Sequence, residues 1–277
     1  MPKTLYLTDL DGTLLDKQRT LSPFTAETIQ MLIDDGVCFS YATARSVHSA
    51  STVLGGICPK VPVICFNGTF LCDHERKTIL SAESFTDEQK FLIRKTIDSF
   101  GLSPLIFSIR NGEEKVTRMP GLENLNEGVR HYLCDRPGDR RQQVAGSTED
   151  LYSGDVFHYT FFGEEKELRP VAEAFAKLEG VAVVLFQELD RPEWLCELMP
   201  EKGQKSYSAL KLKELLGCDR IVVFGDGVND LPMFEIADEC YAVANAVPEL
   251  KAAATGIIGS NEEDGVAHWL LEHAGRS

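Results

Sequence analysis

The stretch Leu7–Asp16, "LTDLDGTLLD", puts two aspartates, Asp9 and Asp11, at the end of an apolar strand and follows them with Gly12 and Thr13. Neighbouring carboxylates repel, and neither gains from leaving water, so the pair calls for solvent or for a cation. The preceding strand, "TLYLTDL" (4–10), reads as buried. "FTAETIQMLIDDG" (24–36) has helical spacing, with Ile29, Leu32 and Ile33 on one face and Gly36 as a stop. "VCFSYAT" (37–43) is a second strand, "RSVHSASTVLGG" (45–56) a helix and "VPVICFNG" (61–68) a third strand. This alternation predicts an α/β fold, a parallel sheet with right-handed crossovers.

The tail resumes the pattern. "QKSYSALKLKELLG" (204–217) is a helix, "DRIVVFGD" (219–226) a strand, "NDLPMFEIA" (229–237) a short helix, "ECYAVA" (239–244) a strand and "EEDGVAHWLLEHA" (262–274) the last helix. Between the two halves lies a different region. A helix ("TDEQKFLIRKTIDSFG", 86–101) and a strand ("PLIFSI", 104–109) lead into a polar stretch from Arg110 to Asp155 that shows no clear period. A strand ("VFHYTFF", 156–162), a helix ("EEKELRPVAEAFAKLEG", 164–180) and two strands ("VAVVLFQ", 181–187; "EWLCELM", 193–199) follow. The expected organisation is a core of 1–82 and 200–277 with an α+β domain, 83–199, inserted into it.

Composition narrows the function. There are 28 basic and 43 acidic residues, a net charge of −15, the opposite of what a nucleic-acid or anionic-membrane surface requires. Any anionic substrate needs a local cation to offset the acidic field. The eight cysteines are scattered, with no Cys-x-x-Cys pair or zinc spacing. They read as buried thiols of a reducing compartment. Without a signal-like or membrane-length apolar run, the chain is expected to be cytoplasmic. Oligomeric state is not readable.

The chemistry-bearing residues fall at strand ends: Asp9 and Asp11 after the first, Thr43 of "YATARS" after the second, and Asp226, Asn229 and Asp230 of "GDGVND" after "IVVF". In an open parallel sheet, ligands bind beyond the carboxyl ends of the strands. Carboxylates gathered there need a hard cation, and Mg2+, which takes oxygen ligands and keeps several waters, suits them. Such an ion beside carboxylates, a hydroxyl and an amine describes phosphoryl transfer.

"DLDGT", the threonine of "YATARS", a lysine, and "GDGVND" resemble the four motifs of the haloacid dehalogenase-like (HAD) phosphatases. "VANA" (243–246) and "SNEEDGVA" (260–267) resemble the C-terminal pattern of their Cof-type sugar-phosphate branch. The resemblance implies a Rossmann-like core with an inserted type-IIB cap that selects the substrate. It implies a Mg2+-dependent phosphatase of small phosphorylated metabolites, sugar phosphates foremost. Carried over residue by residue, Asp9 is the nucleophile. Asp11 is the acid and base, and lends its main-chain carbonyl to the metal. Asp226 is a direct metal ligand, Asp230 either a ligand or a residue that orients one, and Thr43 holds the phosphoryl oxygens. Lys205 fits the family lysine better than Lys202, given the family's spacing to Gly217. Ala44, Arg45, Asn67, Gly68 and Asn229 fall among the positions near the phosphate. Arg45 serves either an anionic group or a pairing at a helix start. Asn67-Gly68 is either a turn alone, with Thr69–Leu80 as a return ribbon, or a turn that also meets substrate. Asn245 is expected to shape the loop near the metal, and His48 and His158 read more readily as structural. Ala44, Ser206, Val243 and Ala244 depart from the family pattern without removing a reactive group. A phosphomutase of the same superfamily, or a non-catalytic phosphate or metal sensor, are the alternatives.

Overall fold

Short apolar strands need partners on both edges, and the order in which they find them fixes where the strand-end residues meet. The computed structural model describes residues 2–187 and 191–274. β1 (Thr4–Thr8) is buried almost throughout. α1 (Pro23–Asp34) starts at Ser22, whose hydroxyl accepts the N–H of Thr25, with Pro23 in the first turn, where its missing N–H costs nothing. It buries Ile29, Leu32 and Ile33. β2 (Cys38–Tyr41) pairs in parallel with β1, and α2 (Val47–Val53) is capped by Ser46. β3 (Val63–Cys65) differs from expectation: it meets the parallel sheet through an Ala42–Ile64 bridge and pairs instead with β4 (Phe70–Asp73), antiparallel. The cause is a 3-10 turn at Phe66–Gly68, where Phe66, Asn67 and Gly68 all have positive φ and the chain doubles back. β5 (Thr78–Ala82) completes this three-stranded ribbon.

The inserted stretch begins with α3 (Asp87–Phe100), entered through a Thr86/Gln89 capping box. β6 (Leu105–Arg110), β7 (Glu113–Arg118), α4 (Leu122–Leu125), α5 (Glu127–Cys134), β8 (Gln142–Val144), α6 (Thr148–Leu151), β9 (Asp155–Gly163), α7 (Glu165–Phe175), β10 (Val181–Gln187) and β11 (Trp194–Pro200) follow. The six strands lie in the order β10-β11-β9-β6-β7-β8. Ile93 and Ile97 of α3 and Leu168, Val171 and Phe175 of α7 bury one face of this sheet against Ile106, Phe161, Cys196 and Leu198.

The chain then returns through α8 (Lys205–Leu216), β12 (Arg220–Gly225), α9 (Leu231–Ile236), β13 (Glu239–Val243), α10 (Pro248–Ala253), β14 (Gly256–Ile258) and α11 (Gly265–His273). β14, three residues long, was not anticipated. The second sheet has the order β14-β13-β12-β1-β2, parallel throughout. Two compact units result: the chain up to Ala82 with the chain from Gly203 onward, and residues 83–202. Within the first, β1 lies between β12 and β2. Asp9, Asp226 and Thr43 therefore leave adjacent parallel strands at the same end. Among the described residues no helix is long and apolar enough to cross a membrane.

Candidate active site

Asp9 is the first residue past β1, and its N–H still bonds Phe224 O of β12 at 3.0 Å, so its side chain is fixed by the sheet. It is 6% exposed. Lys205, the first residue of α8, places Nζ 2.6 Å from Asp9 Oδ1 and 2.8 Å from Asp230 Oδ1, with Lys205 and Asp230 both buried. Lys202 is exposed and belongs to the inserted unit; Lys205 is the lysine that reaches the carboxylates. The other oxygen of Asp230 accepts the N–H groups of Asp226 and Gly227, both at 3.1 Å, which folds "GDGVND" back on itself. Asp226 Oδ1 accepts the hydroxyl of Thr13 at 2.8 Å.

Backbone room makes this packing possible. Gly12 has φ +84°, and a Cβ there would lie 2.4 Å from Asp226 Oδ2. Only glycine lets the "DLDGT" turn approach so closely. Gly68, at φ +113°, has the main chain of Gln204 and Lys205 where a Cβ would sit, 2.1 Å from Gln204 C. Its carbonyl accepts the Ser208 hydroxyl. The Asn67-Gly68 turn thus seats the start of α8 and with it Lys205. Asn67 Oδ1 is buried without a hydrogen-bond partner.

One carboxylate oxygen from each of Asp9, Asp226 and Asp230 lies within 4.8 Å of the others. Burial, more than the nearby charges, pushes the Asp9 carboxyl up to about 8 against the pull of Lys205, and Asp226 up to about 6. Burial also works against the Lys205 ammonium, but Asp230 and Asp9 outweigh it and keep the amine protonated. One ammonium faces three carboxylates, so the cluster is short of positive charge. Its donors are hard oxygens alone. Both features fit a magnesium ion held by Asp9, Asp226 and Asp230.

Asp11 stands apart. Its side chain is 42% exposed, and both its oxygens take hydrogen bonds from Arg45, Nε at 2.6 Å and Nη2 at 2.5 Å. This fork is the bidentate geometry a guanidinium offers a carboxylate. Arg45 stands just before α2 and is paired with Asp11. Thr43 is buried, and its Oγ1 accepts the Arg45 N–H at 3.1 Å. Ala44 and Asn229 are exposed. Asn245 donates to Gly12 O at 2.7 Å and accepts the Asn261 N–H at 3.1 Å, clamping the "DLDGT" turn. His158 faces Glu197 at 3.5 Å within the inserted unit. Sequence reasoning gave Thr13 no role, although it sits inside the quoted motif, and it overlooked Asn261, whose amide donates to Leu15 O.

A family model described as haloacid dehalogenase-like hydrolase matches residues 6–270. The chain belongs to this family. A 5-amino-6-(5-phospho-D-ribitylamino)uracil phosphatase of Bacillus subtilis is 25% identical, over 95% of each chain. A pyridoxal phosphate phosphatase of Escherichia coli is 25% identical, over 96% of each. The solved structure of a haloacid dehalogenase-like hydrolase from Bacteroides thetaiotaomicron superposes with a TM-score of 0.74 at 23% identity. The match covers 98% of this chain and 99% of that one, a likeness of fold. Within the haloacid dehalogenase-like family the protein is a phosphoric monoester hydrolase.

Proposed function

We propose that the protein is a magnesium-dependent phosphatase of small phosphorylated metabolites, sugar phosphates among them, working through an aspartyl-phosphate. The observation that carries this reading is the buried cluster of Asp9, Asp226, Asp230 and Lys205 at one end of the parallel sheet. Asp9 attacks phosphorus, while Lys205 holds its Oδ1 and offsets charge on the transferring group. Asp11 gives a proton to the leaving oxygen, then takes one from the water that opens the acyl phosphate. To do so it exchanges Arg45 for the leaving group, since the fork occupies both its oxygens. Thr43 donates its hydroxyl proton to a phosphoryl oxygen. Ala44, Arg45, Asn67, Gly68 and Asn229 are assigned to the phosphate's surroundings, Gly68 by seating Lys205. Asp9, Asp226 and Asp230, with the Asp11 main-chain carbonyl, hold magnesium, which when bound supplies positive charge to the phosphoryl oxygens. The inserted unit, 83–202, is assigned to substrate selection, and the protein to the cytoplasm.

The test is phosphate release from a panel of sugar phosphates, pyridoxal phosphate and a phosphoribitylamino-pyrimidine, with magnesium or chelator, for wild type and Asp9→Asn. Release that needs magnesium and disappears in the variant is expected. Equal release by both proteins would remove Asp9 from the mechanism. Turnover that requires a bisphosphate activator would make the protein a mutase.

A further inference from the structure

Gly12 is the one glycine between Asp9 and Leu15, and its φ of +84° makes it the hinge of that turn. It separates two groups that serve the metal in the reading above: the main-chain carbonyl of Asp11 before it and, after it, Thr13, whose hydroxyl holds Asp226 Oδ1 at 2.8 Å. The N–H groups of Thr13, Leu14 and Leu15 converge on Leu10 O and close the turn from within. The carbonyls of Gly12 and Leu15 are instead taken from outside, by Asn245 Nδ2 at 2.7 Å and Asn261 Nδ2 at 2.8 Å, 233 and 246 positions along the chain. The two asparagines are themselves joined. The Asn261 N–H donates to Asn245 Oδ1 at 3.1 Å, which turns the NH2 of Asn245 toward Gly12. Both stand on closed loops. The Val247 N–H bonds Asp226 O at 2.9 Å, so the Asn245 loop is tied to the main chain of a metal carboxylate. Beside Asn261, Glu263 Oε2 takes the N–H and hydroxyl of Ser260, and Asp264 Oδ1 takes the hydroxyls of Ser22 and Thr25 at 2.5 and 2.7 Å. Asn261 is buried, and its Oδ1 has no hydrogen-bond partner among the described residues. An orphaned buried oxygen works against folding, so stability alone does not explain this residue.

We propose that Asn245 and Asn261 are positioning residues of the metal site: a two-amide relay that pins the Gly12 hinge and so presets the Asp11 carbonyl and, through Thr13, the Asp226 carboxylate. The inference rests on the magnesium reading above. Glycine gives the turn its close approach to Asp226 but also its freedom to rotate, and the Asn245 amide on Gly12 O removes that freedom. Asn261 acts one step further out, by orienting the Asn245 amide and by holding Leu15 O at the other end of the turn. Both residues act through the turn and not on the phosphoryl group. Donors held in place spare the ion the cost of ordering them, and groups that orient metal ligands are commonly worth about ten- to a hundredfold in affinity.

Titration calorimetry of magnesium chloride into the metal-free whole chain tests this, with folding checked by circular dichroism. Asn245→Ala, at an exposed position, is expected to weaken magnesium binding at least ~tenfold. Asn261→Ala keeps its own N–H on Asn245 and should weaken it by a smaller factor; if that buried substitution prevents folding, Asn245→Ala still decides. Phosphate release by Asn245→Ala should recover as magnesium is raised, with substrate KM at saturating magnesium unchanged, a pattern that neither loosened packing nor a lost substrate contact would produce. Equal magnesium affinity in wild type and Asn245→Ala overturns the relay and leaves the magnesium reading standing. A raised substrate KM with metal affinity intact also overturns it, by making Asn245 a substrate contact. Wild-type protein that takes up no magnesium overturns both.

Discussion

Asp9 and Asp11 share one turn and one residue type, yet they live in different surroundings. Asp9 is 6% exposed and faces an ammonium that is itself buried; the Asp11 side chain is 42% exposed and rests in the fork of Arg45. The difference comes from the backbone. Asp9 still belongs to the sheet ladder through Phe224, whereas Asp11 sits in the turn, in a local bridge to Leu15. A buried ion pair survives only where its charges are matched closely, and removing one partner strands the other. A half-exposed pair is screened by water and contributes little to stability. One short motif thus contains a rigid half and an exchangeable half, as the roles proposed for Asp9 and Asp11 require, a nucleophile that must not move and a proton carrier that must.

Four experiments would break or sharpen that contrast. The largest effect is expected from Asp9→Asn, which should lower phosphate release by at least about a thousandfold while leaving the protein folded, since it deletes a charge from a crowded acidic site. A substantial residual rate in steady-state assays would shift the nucleophile elsewhere. Lys205→Met should destabilise the fold by roughly 3–5 kcal/mol above pH 8, where Asp9 and Asp230 are both ionised and share a buried site with no ammonium; denaturant unfolding at that pH measures this. If Asp9→Asn in the same chain restores part of the loss, the cost lies in the uncompensated charge.

The third experiment concerns pH. In metal-free protein burial holds the carboxyls of Asp9 and Asp226 at about 8 and about 6, above their unfolded values. The folded state therefore keeps protons that the unfolded state loses near pH 4. The stability these two groups contribute is fully present below that value and is lost as pH rises through about 6 and then about 8. Magnesium binding must displace the same protons, so affinity should climb over that window and level off above it. Calorimetry in buffers of different ionisation heat would count the protons released, and a pH-independent affinity would contradict the assignment of these carboxylates. The smallest effect is expected from Arg45→Ala. Unfolding free energy should change by no more than about 1 kcal/mol, while kcat falls as Asp11 loses its resting position. A stability loss as large as that of Lys205→Met would mean the two halves are not different in kind.

Much of this was legible in the sequence because the deciding signals are short-range. "DLDGT" and "GDGVND" close on themselves, the first through the N–H groups of Thr13 and Leu14 on Leu10 O and the second through the hydrogen bonds of Asp230 to its own loop, so a few residues specify the geometry. The strand "VAVVLFQ" matches β10 residue for residue because both its faces are apolar. The stretch from Arg110 to Asp155 was opaque for the converse reason. β7 reads Glu-Glu-Lys-Val-Thr-Arg and buries little beyond Val116 and Thr117, and β8, α4 and α6 have three or four residues each, too few to show a period. Arg45 stayed ambiguous because its partner lies 34 positions away, and only the sheet order brings them together. β3 was misplaced because a three-residue run cannot declare which neighbour it will pair with; the positive φ values after it decide that.

The contact of Gly68 with Gln204 and Lys205 joins chain positions on either side of the 120 residues of the inserted unit. The first unit therefore closes on itself without help from what lies between, as a buckle closes whatever hangs from the belt. Loop-closure entropy grows only slowly with the length spanned, so the insertion is free to lengthen, shorten or be exchanged over evolutionary time. The constraint falls on one atom's worth of space: position 68 must stay glycine, or the lysine held in the clasp is carried out of reach of its aspartates.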